Sequence, residues 1–191
     1  MPSKRSYVLG MPPPPASAQL MTADDLLHSP HEHAELVRGV LVVREPPGLQ
    51  HGRVAVNLCR RLADHADAHG LGRVYVESGF KLASDPDTVR GPDIAFIRES
   101  RLPHPEPRGF PDLAPDLAVE ILSSSDRPGE VLGRIGDLLA GGTTLVWVVD
   151  PDRRRARVYR ADGSEDIVTA EQALDGEGVV HGFTCPLASI L

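Results

Sequence analysis

Two carboxylates stand out for what surrounds them. Asp93 follows Pro92 and opens the apolar run Ile94-Ala-Phe-Ile97, and Glu120 is the one charge inside Leu117-Ala-Val-Glu-Ile-Leu122. A carboxylate in so apolar a strand is costly to desolvate unless a cation or hydrogen bonds answer it. Two such groups on neighbouring strands could share a divalent ion, because Mg²⁺ takes oxygen ligands and keeps several waters. The competing explanation is structural, with Glu120 paired to an arginine and Asp93 serving as a turn residue. Structural ion pairs perturb buried carboxylates just as catalytic sites do, so the residues alone leave both readings open.

The elements that must position this pair follow from periodicity and breakers. Thr22 can cap a short helix with acids in its first turn. Residues 34–44, rich in Val and Leu around Gly39, suit a bent strand or hairpin. Val54, Leu58, Leu62 and Ala66 fall at helical spacing within 50–69, and Gly70 stops that helix. Residues 73–82 and 93–98 are extended runs separated by a turn-rich segment, 85–92. Five prolines make 99–115 an irregular connection. Residues 117–122 form a strand buried on both faces, Pro128 suits a first helical turn, and Val131, Ile135, Leu138 and Leu139 give the next helix its apolar stripe. Ser123 to Asp126 is placed to cap that helix. Gly141-Gly142 ends it, 145–149 is a second buried strand, and 155–160 returns as a hairpin. Strand, helix and strand over 117–149 make a β-α-β unit with a right-handed crossover expected. The class is therefore α/β or mixed α+β, a mixed central sheet flanked by helices.

Composition narrows the function. The chain has 191 residues, 41% hydrophobic and 25% charged, enough apolar material for one core in one domain. Aromatic residues are only 4%, so aliphatic side chains must build that core. Twenty basic residues against 27 acidic ones give a net charge of −7, which argues against binding nucleic acid by bulk charge alone. Two cysteines, Cys59 and Cys185, are too few for a disulfide scaffold and fit a reducing compartment. No apolar run approaches the ~18 residues of a membrane helix, and the N-terminus has no signal-like apolar stretch; a cytoplasmic protein is expected. Residues 1–19, with prolines at 12–15, are expected to be an extended tail ahead of a domain over 20–191.

Three segments carry a resemblance. Gly91-Pro-Asp93-Ile-Ala-Phe-Ile, then Pro115-Asp-Leu-Ala-Val-Glu120-Ile-Leu-Ser-Ser-Ser-Asp126-Arg127, then Val146-Trp-Val-Val-Asp150-Pro151 are similar to the bacterial putative restriction endonuclease family of the PD-(D/E)xK nuclease superfamily. Glu35 with Gly39, and the Gln50-His51 pair, match it too, so the likeness runs over about residues 20–191. The resemblance implies a restriction-endonuclease-like core and metal-dependent cleavage of DNA phosphodiesters, with Mg²⁺ as cofactor and Mn²⁺ as a substitute. It implies that Asp93 and Glu120 hold the metal with the backbone carbonyl of Ile121, and that Glu35 is an additional acid. As a structural alternative, Glu35 is an ordinary exposed residue and His51 a helix-starting one.

The departure from the pattern is the lysine. Where the superfamily alternates Glu-x-Lys on one strand face, position 122 is Leu. Many relatives supply the lysine from the following helix, and Arg134 occupies that place; an arginine grips phosphate well but accepts no proton. Lys81 is the reserve cation if its strand pairs with that of Asp93, and otherwise it is a solvated surface residue. Other groupings carry less. His28, His31 and His33, or His65 and His69, could bind zinc but lack a metalloprotein frame. The arginines at 153–155, 157 and 160 form either a solvated hairpin tip or a phosphate contact. The serines lack the nucleophile-elbow pattern of a hydrolase, and Trp147 reads as core. The expected function is a Mg²⁺-dependent endonuclease, with DNA as substrate and a homo-oligomer, such as a dimer, as its state. The alternatives are an inactive relative that binds nucleic acid or protein, and a dimeric module that keeps the fold without the site.

Overall fold

The computed structural model describes residues 20–31 and 33–191; the expected tail, 1–19, lies outside the described residues. Thr22 caps α1 (Ala23–Leu27) through a reciprocal pair of hydrogen bonds with Asp25. A hairpin follows, β1 (Ala34–Val37) and β2 (Val40–Val43), turning at Arg38-Gly39 with φ of 51° and 75°. Positive φ at both central residues is the turn that matches strand twist. Then comes α2 (Leu49–His69), whose Val54, Leu58, Leu62 and Ala66 are fully buried, and Gly70 ends it in the left-handed conformation.

The run 73–82 is not one strand. It breaks at Glu77 (φ 50°) into β3 (Gly72–Val76) and β4 (Phe80–Ala83), which join different sheets. Within the segment expected to be turns lies a further buried strand, β5 (Thr88–Arg90). The remaining strands are β6 (Ile94–Arg98), β7 (Leu117–Ile121), β8 (Leu145–Asp150), β9 (Arg155–Arg160), β10 (Glu165–Thr169), β11 (Ala173–Asp175) and β12 (Thr184–Pro186). Helix α3 (Pro128–Ala140), opened by Pro128 at its first position, lies between β7 and β8.

Six strands form the central sheet in the order β10-β9-β8-β7-β6-β3, and four form a smaller one, β2-β1-β5-β4. Among the described residues only β7 and β8 pair in parallel, as a strand–helix–strand connection allows. Alternation along β7 and β8 separates two layers. Leu117, Val119, Ile121, Leu145, Trp147 and Val149 pack in one cluster with α2, and Ala118, Val146 and Val148 pack with Val131, Ile135 and Leu138 of α3. Trp147 is core, and its ring stacks on Phe183 of the C-terminal segment with centroids 6.0 Å apart. Burying each such aliphatic side chain contributes about 1.5–3 kcal/mol, which holds β7 rigid beneath the acid it carries. No helix among the described residues is long and apolar enough to cross a membrane.

Candidate active site

Strand register brings the acid pair together. Ile94 of β6 faces Val119 of β7, so Asp93, one residue ahead, comes opposite Glu120 on the same side of the sheet. Asp93 Oδ2 accepts the Ile121 amide at 2.6 Å and lies 3.1 Å from Nε2 of His51, in the first turn of α2. The hydrogen bond to Asp93 raises the pKa of His51 against the opposing effect of burial. His51 Nδ1 is buried without a hydrogen-bond partner.

Glu120 is 1% exposed, and Arg134 Nε stands 2.9 Å from its Oε2. The N–H is not aimed for a hydrogen bond, so the contact is electrostatic. The stripe that buries Val131, Ile135 and Leu138 also turns Arg134 inward. Its Nη2 donates to Asp126 Oδ1 at 2.8 Å. Burial alone would raise the Asp126 pKa, but Arg134 and Ser123 together hold it below the ordinary value. Asp126 accepts both the amide and the hydroxyl of Ser123. The expected Ser123–Asp126 cap is therefore not made. Arg127 is the N-cap, without a side-chain bond, because Asp126 is held by Arg134 and Ser123 instead.

Glu35 of β1 is buried here, not a surface residue. Its carboxylate accepts Arg90 Nη1 at 2.8 Å and the Gly91 amide at 2.9 Å. The same Arg90 donates Nε and Nη2 to Asp137 of α3 at 3.0 and 2.6 Å. One guanidinium thus ties the small sheet to the helix over the site. Arg44, just beyond β2, stands 3.9 Å from Glu35, 3.9 Å from Glu120 and 3.7 Å from Asp126. These groups surround a cleft of about 990 Å³ whose lining includes Glu35, Arg44, His51, Asp93, Asp126 and Arg134.

The charges do not balance. Among the described residues, the central acids Glu35, Glu120, Asp126 and Asp137 face three guanidinium groups, Arg44, Arg90 and Arg134, and Asp93 faces His51. With all five carboxyl groups of this set ionised, as cation binding would require, the excess before His51 is counted is two negative charges. Burial first, then the Asp93 and Glu35 carboxylates, push the Glu120 pKa up to about 8 although Arg134 pulls it down. Among the described residues no three His, Cys, Asp or Glu side chains are grouped to hold a metal. Mg²⁺ needs fewer, because one or two carboxylates and several waters suffice. Asp93 and Glu120 fit that donor set in number and type. For Ile121, which the resemblance offers as a carbonyl ligand, the recorded contact is its amide on Asp93.

Lys81 is not brought to the site. Its strand β4 pairs with β5 in the small sheet rather than with β6, and its Nζ sits 3.4 Å from Asp87. The His65 and His69 rings lie 4.3 Å apart, tilted by 33°, and each bonds a backbone carbonyl. Arg153, Arg157 and Arg160 face Asp150, Glu165 and the pair Asp166 and Glu177 respectively, which neutralises much of the basic patch. Arg44 and Arg90 were not singled out in the sequence. The signal available was charge inside β-rich runs, Val-Val-Arg44 and Thr-Val-Arg90.

An acid pair across antiparallel strands, followed by a parallel β-α-β step, places the chain in the restriction-endonuclease-like fold. A solved structure described as a putative nuclease belonging to DUF820, from Anabaena variabilis, superposes with a TM-score of 0.79. It is 21% identical, over 89% of this chain and 97% of that one. The family model described as Uma2, putative restriction endonuclease, matches residues 22–188, and the chain belongs to that family. No curated protein matches the chain.

Proposed function

We propose that this chain is a metal-dependent endonuclease that hydrolyses DNA phosphodiester bonds, with Asp93 and Glu120 as ligands of Mg²⁺ or Mn²⁺. The observation that carries the reading is the apposition of these two acids beside an acid-rich cleft. The bound ion would lower the pKa of a water and offset charge on the scissile phosphate. Asp93 is oriented by the Ile121 amide and His51, which fix one of its oxygens. Arg134 holds Glu120 in place and keeps the buried charge tolerable. In the reaction the water gives up a proton to solvent as its oxygen bonds to phosphorus, the phosphorus–sugar oxygen bond breaks, and the leaving oxygen takes a proton from solvent.

The test is nicking of supercoiled plasmid in Mg²⁺ and in Mn²⁺. Wild type should cut, while Asp93→Asn and Glu120→Gln should not and should also lose Mn²⁺ binding in calorimetry. Increased cutting by Arg134→Lys would mark the native chain as a weakened nuclease. Wild type that binds Mn²⁺ without cutting would defeat the reading. A second reading has its own support: Arg134 is engaged by Glu120 and Asp126, and Lys81 by Asp87, which favours an inactive module that binds nucleic acid.

A further inference from the structure

Five arginines line the cleft; Arg38 and Arg127 are exposed, and the three that face the central acids are not alike. Arg90 and Arg134 are buried and donate to carboxylates at 2.6–3.0 Å. Arg44 has three acids within 3.7–3.9 Å but, among the described residues, its side chain donates no hydrogen bond. It is 27% exposed and lines the cleft. Its charge is therefore anchored while its donors stay unengaged. A guanidinium offers five N–H groups in a planar fork that matches two oxygens of one phosphate. Neither of the cations suggested by the sequence is so placed. Arg134 is committed to Glu120 and Asp126, and Lys81 lies in the other sheet against Asp87.

We infer that Arg44 is a substrate-contacting cation beside the central acids of the cleft, donating to the non-bridging oxygens of a DNA phosphodiester. The inference rests on the nuclease reading for its substrate, and on the cleft geometry alone for its anion. A phosphate contact of this kind strengthens binding without reading sequence. Its loss should therefore weaken every DNA equally and lower the salt dependence by one phosphate's worth of counterion. A purely structural arginine would leave that slope unchanged.

The experiment has two arms on the full chain. In the first, a fluorescein-labelled 20-base-pair duplex is titrated with wild type, Arg44→Met and Arg44→Lys in CaCl₂ over a range of NaCl, using two unrelated sequences. Arg44→Met should bind both about tenfold more weakly, with the slope of log K against log salt smaller by about one; Arg44→Lys should recover part of the affinity and the full slope. Wild-type affinity and slope in Arg44→Met overturn the inference while leaving the nuclease reading standing. In the second arm, inorganic phosphate is added to ¹⁵N-labelled protein and the arginine Nε–Hε signals are followed. The Arg44 signal should move and the Arg134 signal should not. Wild type that ignores DNA while its Arg44 signal answers phosphate overturns the nuclease reading and keeps the anion site. An Arg44 signal silent to phosphate overturns the site itself.

Discussion

Asp93 and Asp116 hold the same local place in the chain. Each follows a proline, and each immediately precedes a buried strand, β6 and β7 respectively. Those strands run antiparallel, so the two acids sit at opposite ends of the strand pair. Asp116, 2% exposed, accepts the Arg98 amide at 3.0 Å and lies 2.8 Å from Nη1 of Arg101. By register the residue opposite it is Ile97; the residue opposite Asp93 is Glu120. A carboxylate answered by amides and arginines is a fastening. One set against a second carboxylate retains an appetite for a cation. The dipeptide is the same in both places, and the sheet decides what it does.

The sharpest way to break this comparison is to neutralise each acid in turn. Asp93→Asn should reduce plasmid cleavage by on the order of 10²-fold or more while leaving the urea midpoint nearly unchanged. Comparable loss of cleavage per folded molecule in Asp116→Ala would erase the distinction. Asp116→Ala should instead cost about 1–3 kcal/mol in urea unfolding, because it leaves the part-buried Arg98 amide without its acceptor. Its arginine partners are half-exposed, which keeps the cost at that level.

Glu120 sharpens the comparison through pH. Its folded-state pKa, about 8, lies above the 4.5 of an ordinary glutamate. Between those values the metal-free folded state keeps a proton that the unfolded chain has lost, so stability falls as pH rises from about 4.5 to 8. Urea midpoints of Glu120→Gln should be flatter than wild type across that window; parallel profiles would refute the raised pKa. The smallest effect belongs to Lys81→Ala. It should cost under about 1 kcal/mol and leave cleavage unchanged, since it removes only the Asp87 contact. Lost cleavage with normal stability would return Lys81 to the site.

Much of this was legible from residue order. The stripe of α2, the buried β7, the proline that opens α3 and the acid pair all follow from periodicity and desolvation cost. What was not legible depends on tertiary partners. Strand β5 is three residues long and flanked by turn formers, so its burial comes from β1 and β4 rather than from its own pattern. The break at Glu77 needs a positive φ that a glutamate does not advertise, and it is this break that carries Lys81 away from Asp93. Asp126 looked like a helix cap because the serines and acid have capping chemistry; a buried guanidinium eight residues on outcompetes that role. Arg44 and Arg90 are brought to Glu35 by hairpin and sheet pairing, which spacing does not encode.

Arg44, Arg90 and Arg134 draw on a common pool of acids. Glu35 faces both Arg90 and Arg44, while Glu120 and Asp126 each face both Arg134 and Arg44. Changes at positions 35, 44, 90, 120, 126 and 134 are therefore epistatic, and the effect of one depends on which residue stands at the others. A lysine installed at 134 offers a point charge where the guanidinium divides its contacts between two acids, so its benefit depends on what Asp126 meets next. The cluster, rather than any single residue, is therefore the unit in which a substitution has to be read.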